Sequence, residues 1–369
     1  MGRISTFGQH LYEGRVSFDF VGRRKLWYSI SAAIVVLAAL AFIVRGFNYG
    51  VEFKGGVEFT AQVEVANSDS ADDMIQGVED SGVPEAGDPT VQTSGTDTIR
   101  IQTRALTQDQ ATKVTQSLEA AGATEVSQNL IGPTYGKQVA TKALTGLIVF
   151  LVIVVIFIWA YFREWRMSVA GIVALAHDLI ITGGIYALSG FEVTPATVTG
   201  LLTILGYSLY DTVVVFDKVR ENTKGILSST TKTYSEQANL AVNQTLVRSI
   251  NTSITALLPV AALLIVGAGV LGSGPLKDLA LALFVGMAAG TYSSIFIATP
   301  LAAQLKDREP AIKAQTARVL ARRAKGESGE GVAVATASAA PARTVRSSGA
   351  AKRAQPSRKP RSQRGKGGS

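Results

Sequence analysis

The segment TPATVTGLLTILGYSLYDTVVVF (Thr194–Phe216) carries one charged residue, Asp211, and is long enough to cross a lipid bilayer. A membrane-spanning helix needs about 20 predominantly apolar residues. A carboxylate at membrane depth is costly unless it is paired, hydrated or protonated, so helices retain one mainly for function. The segment therefore predicts a membrane fold and makes Asp211 the first candidate for a proton-binding residue.

Other parts of the chain repeat this pattern. Only 17% of the 369 residues are charged, against about 25% in a typical soluble protein. The first apolar run is too long for a signal peptide and is followed by RGFNYG rather than by a small-residue cleavage site, so we expect an uncleaved anchor. Six membrane helices are predicted in all, at Leu26–Val44, Ala143–Ala160, Val169–Ser189, Thr194–Phe216, Ser249–Leu271 and Leu279–Gln304.

The composition argues against most kinds of enzyme. The chain has no cysteine and two histidines, His10 and His177, which excludes disulfide scaffolds, thiolate catalysis and Cys-ligated zinc and disfavours a His-rich metal site. Gly267, Gly269 and Gly272 have the GxGxxG spacing but end a membrane span, where a dinucleotide site is not expected. No Walker, zinc or nucleophile-elbow motif occurs. We therefore expect no enzymatic activity, no catalytic residues, no metal and no cofactor.

Charge is distributed unevenly along the chain. Residues 47–141 contain five Lys or Arg against 14 Asp or Glu, whereas residues 303–369 contain 16 Lys or Arg against four acids. With six spans, every basic cluster falls on one side of the membrane, so the positive-inside rule predicts cytoplasmic termini. These clusters are Arg23, Arg24 and Lys25; Arg163 and Arg166; and Lys218, Arg220 and Lys224.

Residues 45–142, between the first two spans, are predicted to form an extracytoplasmic α+β domain. Alternating and helical patterns give the order βαββαβ, which suggests a ferredoxin-like sandwich. The predicted elements are a strand at Val57–Val65, a helix at Ser70–Gly82, a hairpin around Ser94–Asp97, a helix at Thr107–Gly122 and a last strand in ATEVSQNLIG (123–132).

The other soluble segments are predicted to be cytoplasmic. They are an N-terminal segment, 1–25, a polar loop with a short surface helix, 217–248, and a basic, disordered tail, 306–369. After Gly326 the tail has almost no large apolar residues, which predicts disorder. Under a membrane, such a tail would contact anionic lipid or ribosomal RNA.

Asp211 has two interpretations. It is a protonatable site facing the bundle interior, on a stripe with Gly200, Ile204 and Tyr207, or it is a charge near the helix end that reaches water or Lys218.

Arg248 is the predicted counter-charge of Asp211. It shares a polar helical stripe with Gln244, Asn251, Thr252 and Thr255, which suggests the interior of a bundle or a water-filled path. The alternative for Arg248 is positive-inside anchoring at the start of the fifth span.

Two further features fall within the predicted spans. His177 and Asp178 lie near mid-membrane and form either a second proton relay or a hydrogen-bonded clamp. Gly286, Gly290 and Ser294 repeat every four residues and predict a smooth face for close helix packing.

Four segments together resemble the SecD/SecF family of bacterial protein-export subunits, part of the RND superfamily. The resemblance extends from about Phe18 to Leu305. The segments are ALAHDLIITGGIYAL (174–188), GYSLYDTVVVFDKVREN (206–222), NQTLVRSINTSITALLP (243–259) and LKDLALALFVGMAAGTYSSIFIATP (276–300).

The resemblance implies a six-helix, RND-type half bundle in the bacterial plasma membrane that pairs with SecD, whose six helices complete a pseudo-twofold arrangement. It implies that the pair assists the SecYEG channel after SecA has acted, and that it uses the proton gradient to draw the preprotein outward. A YidC-type insertase is a further implied partner. The family's membrane aspartate and arginine correspond to Asp211 and Arg248.

One motif departs from the family pattern. After the first span the family commonly has Asp-Phe-x-Gly-Gly, and this chain has Glu52, Phe53, Lys54, Gly55 and Gly56. The charge is kept with one more methylene group. We expect the glycine pair to shape the approach to the soluble domain, and because Glu52 departs from the family's aspartate, no role is carried over to it from the family.

Two other functions compete with protein export. An RND-type small-molecule efflux subunit would need a large cavity-bearing outside domain and usually a second six-span repeat, and neither is visible in this sequence. A structural scaffold for the translocon would depend on the glycine faces and on neither charged residue.

Overall fold

The computed structural model describes residues 10, 13, 16–269 and 274–336. Six helices in these ranges are long and apolar enough to cross a membrane, which confirms the six predicted spans. The predicted end of the fifth span at Leu271, the glycine Gly272 and the tail from residue 337 onward lie outside the described residues.

In chain order the elements alternate between membrane helices and one soluble domain. They are α1 (Arg24–Arg45), β1 (Asn48–Tyr49), α2 (Val51–Lys54), β2 (Gly56–Gln62), α3 (Ser68–Asp80), β3 (Thr90–Ser94), β4 (Thr98–Thr103), α4 (Gln108–Ala120), β5 (Glu125–Ile131), α5 (Pro133–Phe162), α6 (Trp165–Ser189), β6 (Glu192–Val193), α7 (Pro195–Asn222), α8 (Tyr234–Gly269), α9 (Gly274–Ser293), a π-helical turn (Ser294–Ala298), α10 (Thr299–Asp307) and α11 (Pro310–Thr336).

The soluble domain is a four-stranded antiparallel sheet with the order β3-β4-β2-β5. With its two helices it has the ferredoxin-like βαββαβ topology. Capping boxes begin both helices, with Asn67 and Ser70 at α3 and Thr107 and Gln110 at α4. The alternation predicted from the sequence therefore corresponds to a sheet with one face buried against α3 and α4.

The second half of the predicted polar loop 217–248 is helical. Helix α8 begins at Tyr234, well before the predicted start at Ser249. Its first turns are amphipathic, and Tyr234, Ala238, Ala241 and Val242 are buried. The apolar face of these turns made helix the favoured conformation even though the segment as a whole is polar.

The first part of the predicted disordered tail is also helical. Helix α11 begins at Pro310 and buries Ile312, Gln315 and Val319, which share one helical face. The amide of Gln315 donates hydrogen bonds to the backbone carbonyls of Ser229 (3.1 Å) and Lys232 (2.9 Å). The low count of large apolar residues concealed this short buried stripe.

The two ends of the helical bundle differ in their contacts. At one end, β1 pairs in parallel with β6, which joins the segment after α1 to the connection between α6 and α7. At the other end, Lys306 contacts Glu164, and Arg166 contacts Glu309 at 3.2 Å. The soluble domain and the charged network therefore belong to opposite ends of the helices.

Candidate proton site in the membrane helices

Asp211 is buried in the middle of α7, with 7% of its surface exposed. Its carboxylate accepts hydrogen bonds from the hydroxyl groups of Ser249 on α8 (2.8 Å) and Ser294 in the π-helical turn. Ile204 and Gly200, on the predicted stripe, are also buried, and Tyr207 is half-buried. The carboxylate thus faces the bundle interior and has neutral donors from two neighbouring elements.

Asp178 is a second buried carboxylate, on α6, with 2% of its surface exposed. It accepts hydrogen bonds from the hydroxyl groups of Ser208 on α7 (2.6 Å) and Ser293 on α9 (2.8 Å). The ring Nδ1 of His177 lies 3.1 Å from the same carboxylate. The arrangement around Asp178 therefore resembles that around Asp211, with two serine donors from two different helices.

The two carboxylates are connected through adjacent residues. Ser293 and Ser294 are consecutive, and the first contacts Asp178 while the second contacts Asp211. Successive residues of a helix point about 100° apart. Ser293 can therefore bind the carboxylate on α6 while Ser294 binds the carboxylate on α7. The π-helical turn begins here, and such turns occur frequently at functional sites.

The glycines of α9 allow it to lie close to α7. A Cβ atom at Gly290 would lie 2.8 Å from Cβ of Ser208, and one at Gly286 would overlap the side chain of Ile204. Real Cβ atoms essentially never approach so closely. Ser294 is the third member of the predicted packing face, and it also donates a hydrogen bond to Asp211. The predicted face therefore combines packing with contact to the buried carboxylate.

Arg248 does not contact Asp211, so the predicted ion pair is absent from this structure. Arg248 is exposed and donates a hydrogen bond to the hydroxyl of Tyr210 at 3.0 Å. The physical reason is helical phase: Ser249 occupies the face of α8 that meets Asp211, and Arg248 points about 100° away from it. Asn251 and Thr255 of the predicted polar stripe are also exposed. The stripe lies on the outer surface of this six-helix chain.

His177 is buried and has a further aromatic contact. Its ring stacks on Tyr292 with centroids 6.0 Å apart, and the Tyr292 hydroxyl lies 3.0 Å from Oγ of Ser31 on α1. The Nε2 atom of His177 is buried without a hydrogen-bond partner among the described residues. The structure thus brings His177 and Asp178 together, away from Arg248.

Of the four serines, Ser208, Ser249 and Ser293 were not singled out from the sequence, and Ser294 was predicted only as part of a packing face. Ser208 precedes Asp211 by three residues and shares its helical face, and Ser249 follows Arg248 directly. Serine is common in membrane helices as an interhelical hydrogen-bond donor, so the type alone does not mark a site. The signal available in the sequence was a small polar residue on the same helical face as a membrane carboxylate, as Ser208 is for Asp211.

Comparisons with known proteins agree with this architecture. Residues 110–308 match the family model of the protein export membrane protein SecD/SecF, C-terminal. The chain is 51% identical over 340 residues to the protein translocase subunit SecF of Streptomyces coelicolor, covering 90% of each chain. The chain belongs to the SecD/SecF family. The protein translocase subunit SecF of Mycobacterium tuberculosis is 44% identical to this chain. The alignment covers 87% of this chain and 74% of that protein.

A longer member of the SecD/SecF family has a known structure. The crystal structure of SecDF from Thermus thermophilus, described as a translocon-associated membrane protein, aligns with a TM-score of 0.70 at 30% identity. It covers 84% of this chain and 40% of the SecDF chain. This chain thus spans less than half of that relative.

The SecD/SecF GG motif model matches residues 40–66. Gly55 and Gly56 follow the short helix α2 with φ of +77° and +142°, a region that disfavours other residues. A Cβ atom at Gly55 would lie 2.6 Å from Cα of Pro133, where α5 begins. Phe53 and Glu52 of the motif both belong to α2. Burial raises the pKa of the Glu52 carboxyl above its ordinary value. The glycine pair therefore lies where the domain's first strand passes close to the second membrane helix.

Proposed function

We propose that this chain is a SecF-type subunit of the bacterial protein-export machinery and that its buried membrane carboxylates couple proton movement to preprotein transport. The observation that carries the proposal is the pair Asp178 and Asp211, each buried between helices and held by two serine hydroxyl groups. Relatives of this chain are named protein translocase subunits, which favours export over small-molecule efflux.

The chemistry of Asp211 explains how a proton would move helices. An ionised carboxylate only accepts hydrogen bonds, whereas a protonated one also donates. Ionised Asp211 accepts from Ser249 and Ser294, and protonation weakens one of these bonds and adds an O–H group that needs an acceptor of its own. Because the donors belong to different elements, each protonation step alters contacts between α7, α8 and the π-helical turn.

The second carboxylate extends this coupling. Asp178 takes its donors from α7 and α9, and Ser293 adjoins the Asp211 donor Ser294. A change at either carboxylate therefore acts on the same turn of helix. We propose that Asp178, with His177 beside it, belongs to the same proton pathway.

A SecD-type partner fits the exposed face around Arg248. Arg248, Tyr210 and Ile254 are exposed on α7 and α8, although a charged side chain facing lipid is unfavourable. The SecDF relative is one longer chain, of which this chain covers 40%. We propose that SecD covers this face and brings Arg248 into the assembled proton pathway.

We propose that the charged end of the bundle is cytoplasmic and that the ferredoxin-like domain lies outside. Arg24 and Arg166 belong to the same end as Lys306, opposite the soluble domain. Basic residues are retained on the cytoplasmic side. This orientation directs the domain toward a preprotein leaving SecYEG after SecA has acted. Contacts with a YidC-type insertase, and of the basic tail with lipid or the ribosome, stay predictions.

The test is gradient-dependent export into inverted membrane vesicles that contain the SecD complex. Asp211→Asn keeps the size of the side chain and removes its titration, so export driven by the proton gradient should fall to the level without a gradient. Asp217→Asn is the matched control, because Asp217 lies on the same helix and accepts its hydrogen bond from Tyr161 (2.6 Å), away from the two serines.

The outcome separates transport from scaffolding. Asp211→Asn should still co-purify with SecD, because both serines retain a hydrogen-bonding partner. If the gradient-dependent export of Asp211→Asn equals that of Asp217→Asn, the proton role of Asp211 is wrong and the scaffold function is favoured.

A further inference from the structure

The sheet of the soluble domain has a polar face opposite its helices. On β4, Ile99 and Ile101 are buried in the domain core, whereas Arg100 and Gln102 point to the other face, as strand alternation requires. Arg100 is nevertheless 7% exposed. A guanidinium this deeply buried needs carboxylate partners.

The partners of Arg100 come from two parts of the molecule. Its Nη2 atom donates to Glu58 on the neighbouring strand β2 and lies 3.4 Å from Glu192 on β6, between the membrane helices α6 and α7. Gln102 makes the same two contacts, at 3.1 Å to Glu58 and 2.9 Å to Glu192. Charged and polar groups on the sheet thus tie the domain to the membrane helices.

A third buried carboxylate adjoins this junction. Asp278, in the second turn of α9, is 1% exposed. The backbone amide of Glu192 lies close enough to act on it electrostatically. However, neither of its carboxylate oxygens accepts a hydrogen bond of normal geometry from the described residues. Burial without a well-formed donor disfavours the ionised carboxylate, so burial shifts Asp278 toward its neutral, protonated form.

Acidic groups outnumber basic groups around Asp278. The charges that act on it are the neighbouring Lys277, Glu192 from β6 and Arg100 from β4. Tyr186 of α6 donates its hydroxyl hydrogen bond to the backbone carbonyl of Asp278. Beyond them, Glu58 and Glu52 face Arg100 from β2 and α2. Two cations therefore oppose four carboxylates.

We propose that Asp278 is a proton-binding site apart from the Asp178 and Asp211 pair and that its proton, together with Arg100, latches the ferredoxin-like domain to the membrane helices. The site is separate from Asp211, because roughly 24 Å of helix lies between Asp278 and Ser294. The proposal does not depend on the role of Asp211 in export.

The sign of the pH effect follows from the burial of Asp278. With Asp278 protonated, no charge is buried at this position, and Arg100 of the domain pairs with Glu58 and with Glu192 of the membrane side. Loss of the proton leaves a buried negative charge that is stabilised when the junction opens to water and that repels Glu58 of the domain. Burial raises the pKa of Glu52 in the same cluster, with Glu58 and Glu192 adding to the effect. The latch is therefore closed at low pH and opens as pH rises.

The test measures the distance between the domain and the membrane helices in the full chain in lipid nanodiscs. The chain has no cysteine, so spin labels attach only at introduced positions. Lys113→Cys on α4 and Leu188→Cys on α6 are both exposed. Pulsed electron paramagnetic resonance measures the distance between the two spin labels. It should give one narrow distance distribution at pH 6 and a second population at longer distance at pH 9.

Three variants assign the effect to the two residues. Asp278→Asn should keep the narrow distribution at both pH values. Arg100→Gln should show the longer population at both, with the closed fraction reduced about tenfold or more relative to open, because one partner of a buried ion pair is removed. Arg104→Gln is the control, since Arg104 is exposed on the same segment, and it should follow the parent.

Two results would overturn the latch. One is an Asp278→Asn variant whose distance distribution changes with pH as the parent does, and the other is an Arg100→Gln variant that stays closed at pH 6. Misfolding is addressed by Arg100→Lys, which keeps a positive charge between Glu58 and Glu192 and should return the narrow distribution at pH 6. A longer population in Arg100→Lys at pH 6, equal to that of Arg100→Gln, also contradicts the pairing.

Discussion

Replacing Gly290 with alanine tests how closely α9 must approach α7. The added Cβ atom would lie 2.8 Å from Cβ and 3.2 Å from Cα of Ser208, so either the helices separate or Ser208 shifts. Overpacking of this kind costs about 1–3 kcal/mol. Alanine is also the better helix former by about 1 kcal/mol, which offsets part of that cost and requires a matched control.

Gly206→Ala supplies the control. Gly206 lies on α7 two residues before Ser208, and a Cβ atom there would meet nothing within 4 Å. Both variants gain the same helix propensity, so their difference isolates the packing cost of about 1–3 kcal/mol. At about 2.1 cal/mol/K of unfolding entropy per residue, this cost corresponds to roughly 1–4 °C in the thermal midpoint of a 369-residue chain.

The assay is thermal unfolding of the purified chain in detergent, followed by intrinsic fluorescence. We expect Gly206→Ala at or above the parent midpoint and Gly290→Ala clearly below Gly206→Ala. Since Ser208 also donates to Asp178, Gly290→Ala should reduce gradient-dependent export as well. If Gly290→Ala melts at the same temperature as Gly206→Ala, the close approach of α9 to α7 is wrong.

Two further substitutions test other parts of the molecule. Arg248→Met removes an exposed side chain, so the thermal midpoint of the isolated chain should stay within about 2 °C of the parent. Gradient-dependent export in the SecD complex should fall. Unchanged export would favour the anchoring role of Arg248. Gly55→Ala forces a left-handed φ on alanine and a 2.6 Å contact with Pro133, so the midpoint should fall by several degrees in the same unfolding assay. Gly132→Ala, with ordinary φ and open space, should not lower it, and equal midpoints for the two glycine variants would contradict the strained approach.

The sequence was sufficient for the parts of the fold that depend on local pattern. Apolar length gave the six spans, and strand alternation at Ile99 and Ile101 gave the hairpin that pairs β3 with β4. Helix α4 starts at the predicted Thr107 cap. These features arise from residues within one segment, so neighbouring positions carry the whole signal.

The partners of the buried carboxylates could not be read in the same way. The charge on Arg248 made it the natural partner for Asp211, yet the position facing Asp211 is the neutral Ser249. A single step along a helix changes direction by about 100°, and the phase of α8 relative to α7 is set by packing over its whole length. The sequence shows which residues are charged. Which residue of α8 contacts Asp211 depends instead on the rotation of α8 about its axis.

Arg100 illustrates the same limit in the soluble domain. Its alternation with Ile99 and Ile101 places it on the outer face of the sheet, which normally predicts exposure to water. It is buried because Glu192, distant in sequence, meets that face. A buried charge of this kind becomes visible only when the domain and the membrane helices are seen together.

Helix α9 links the proposed proton sites physically. Asp278 lies near its first turns, and Ser293 ends it beside Asp178. Between them, Gly290 is in close contact with α7, and Gly200 of α7 is similarly close to Ala282 of α9. Such small-residue contacts present few ridges that oppose sliding. A displacement of α9 along α7 would therefore move the junction carboxylate and the serine donors together, so that the proposed proton binding within the membrane and the proposed docking of the ferredoxin-like domain would act on the same helix.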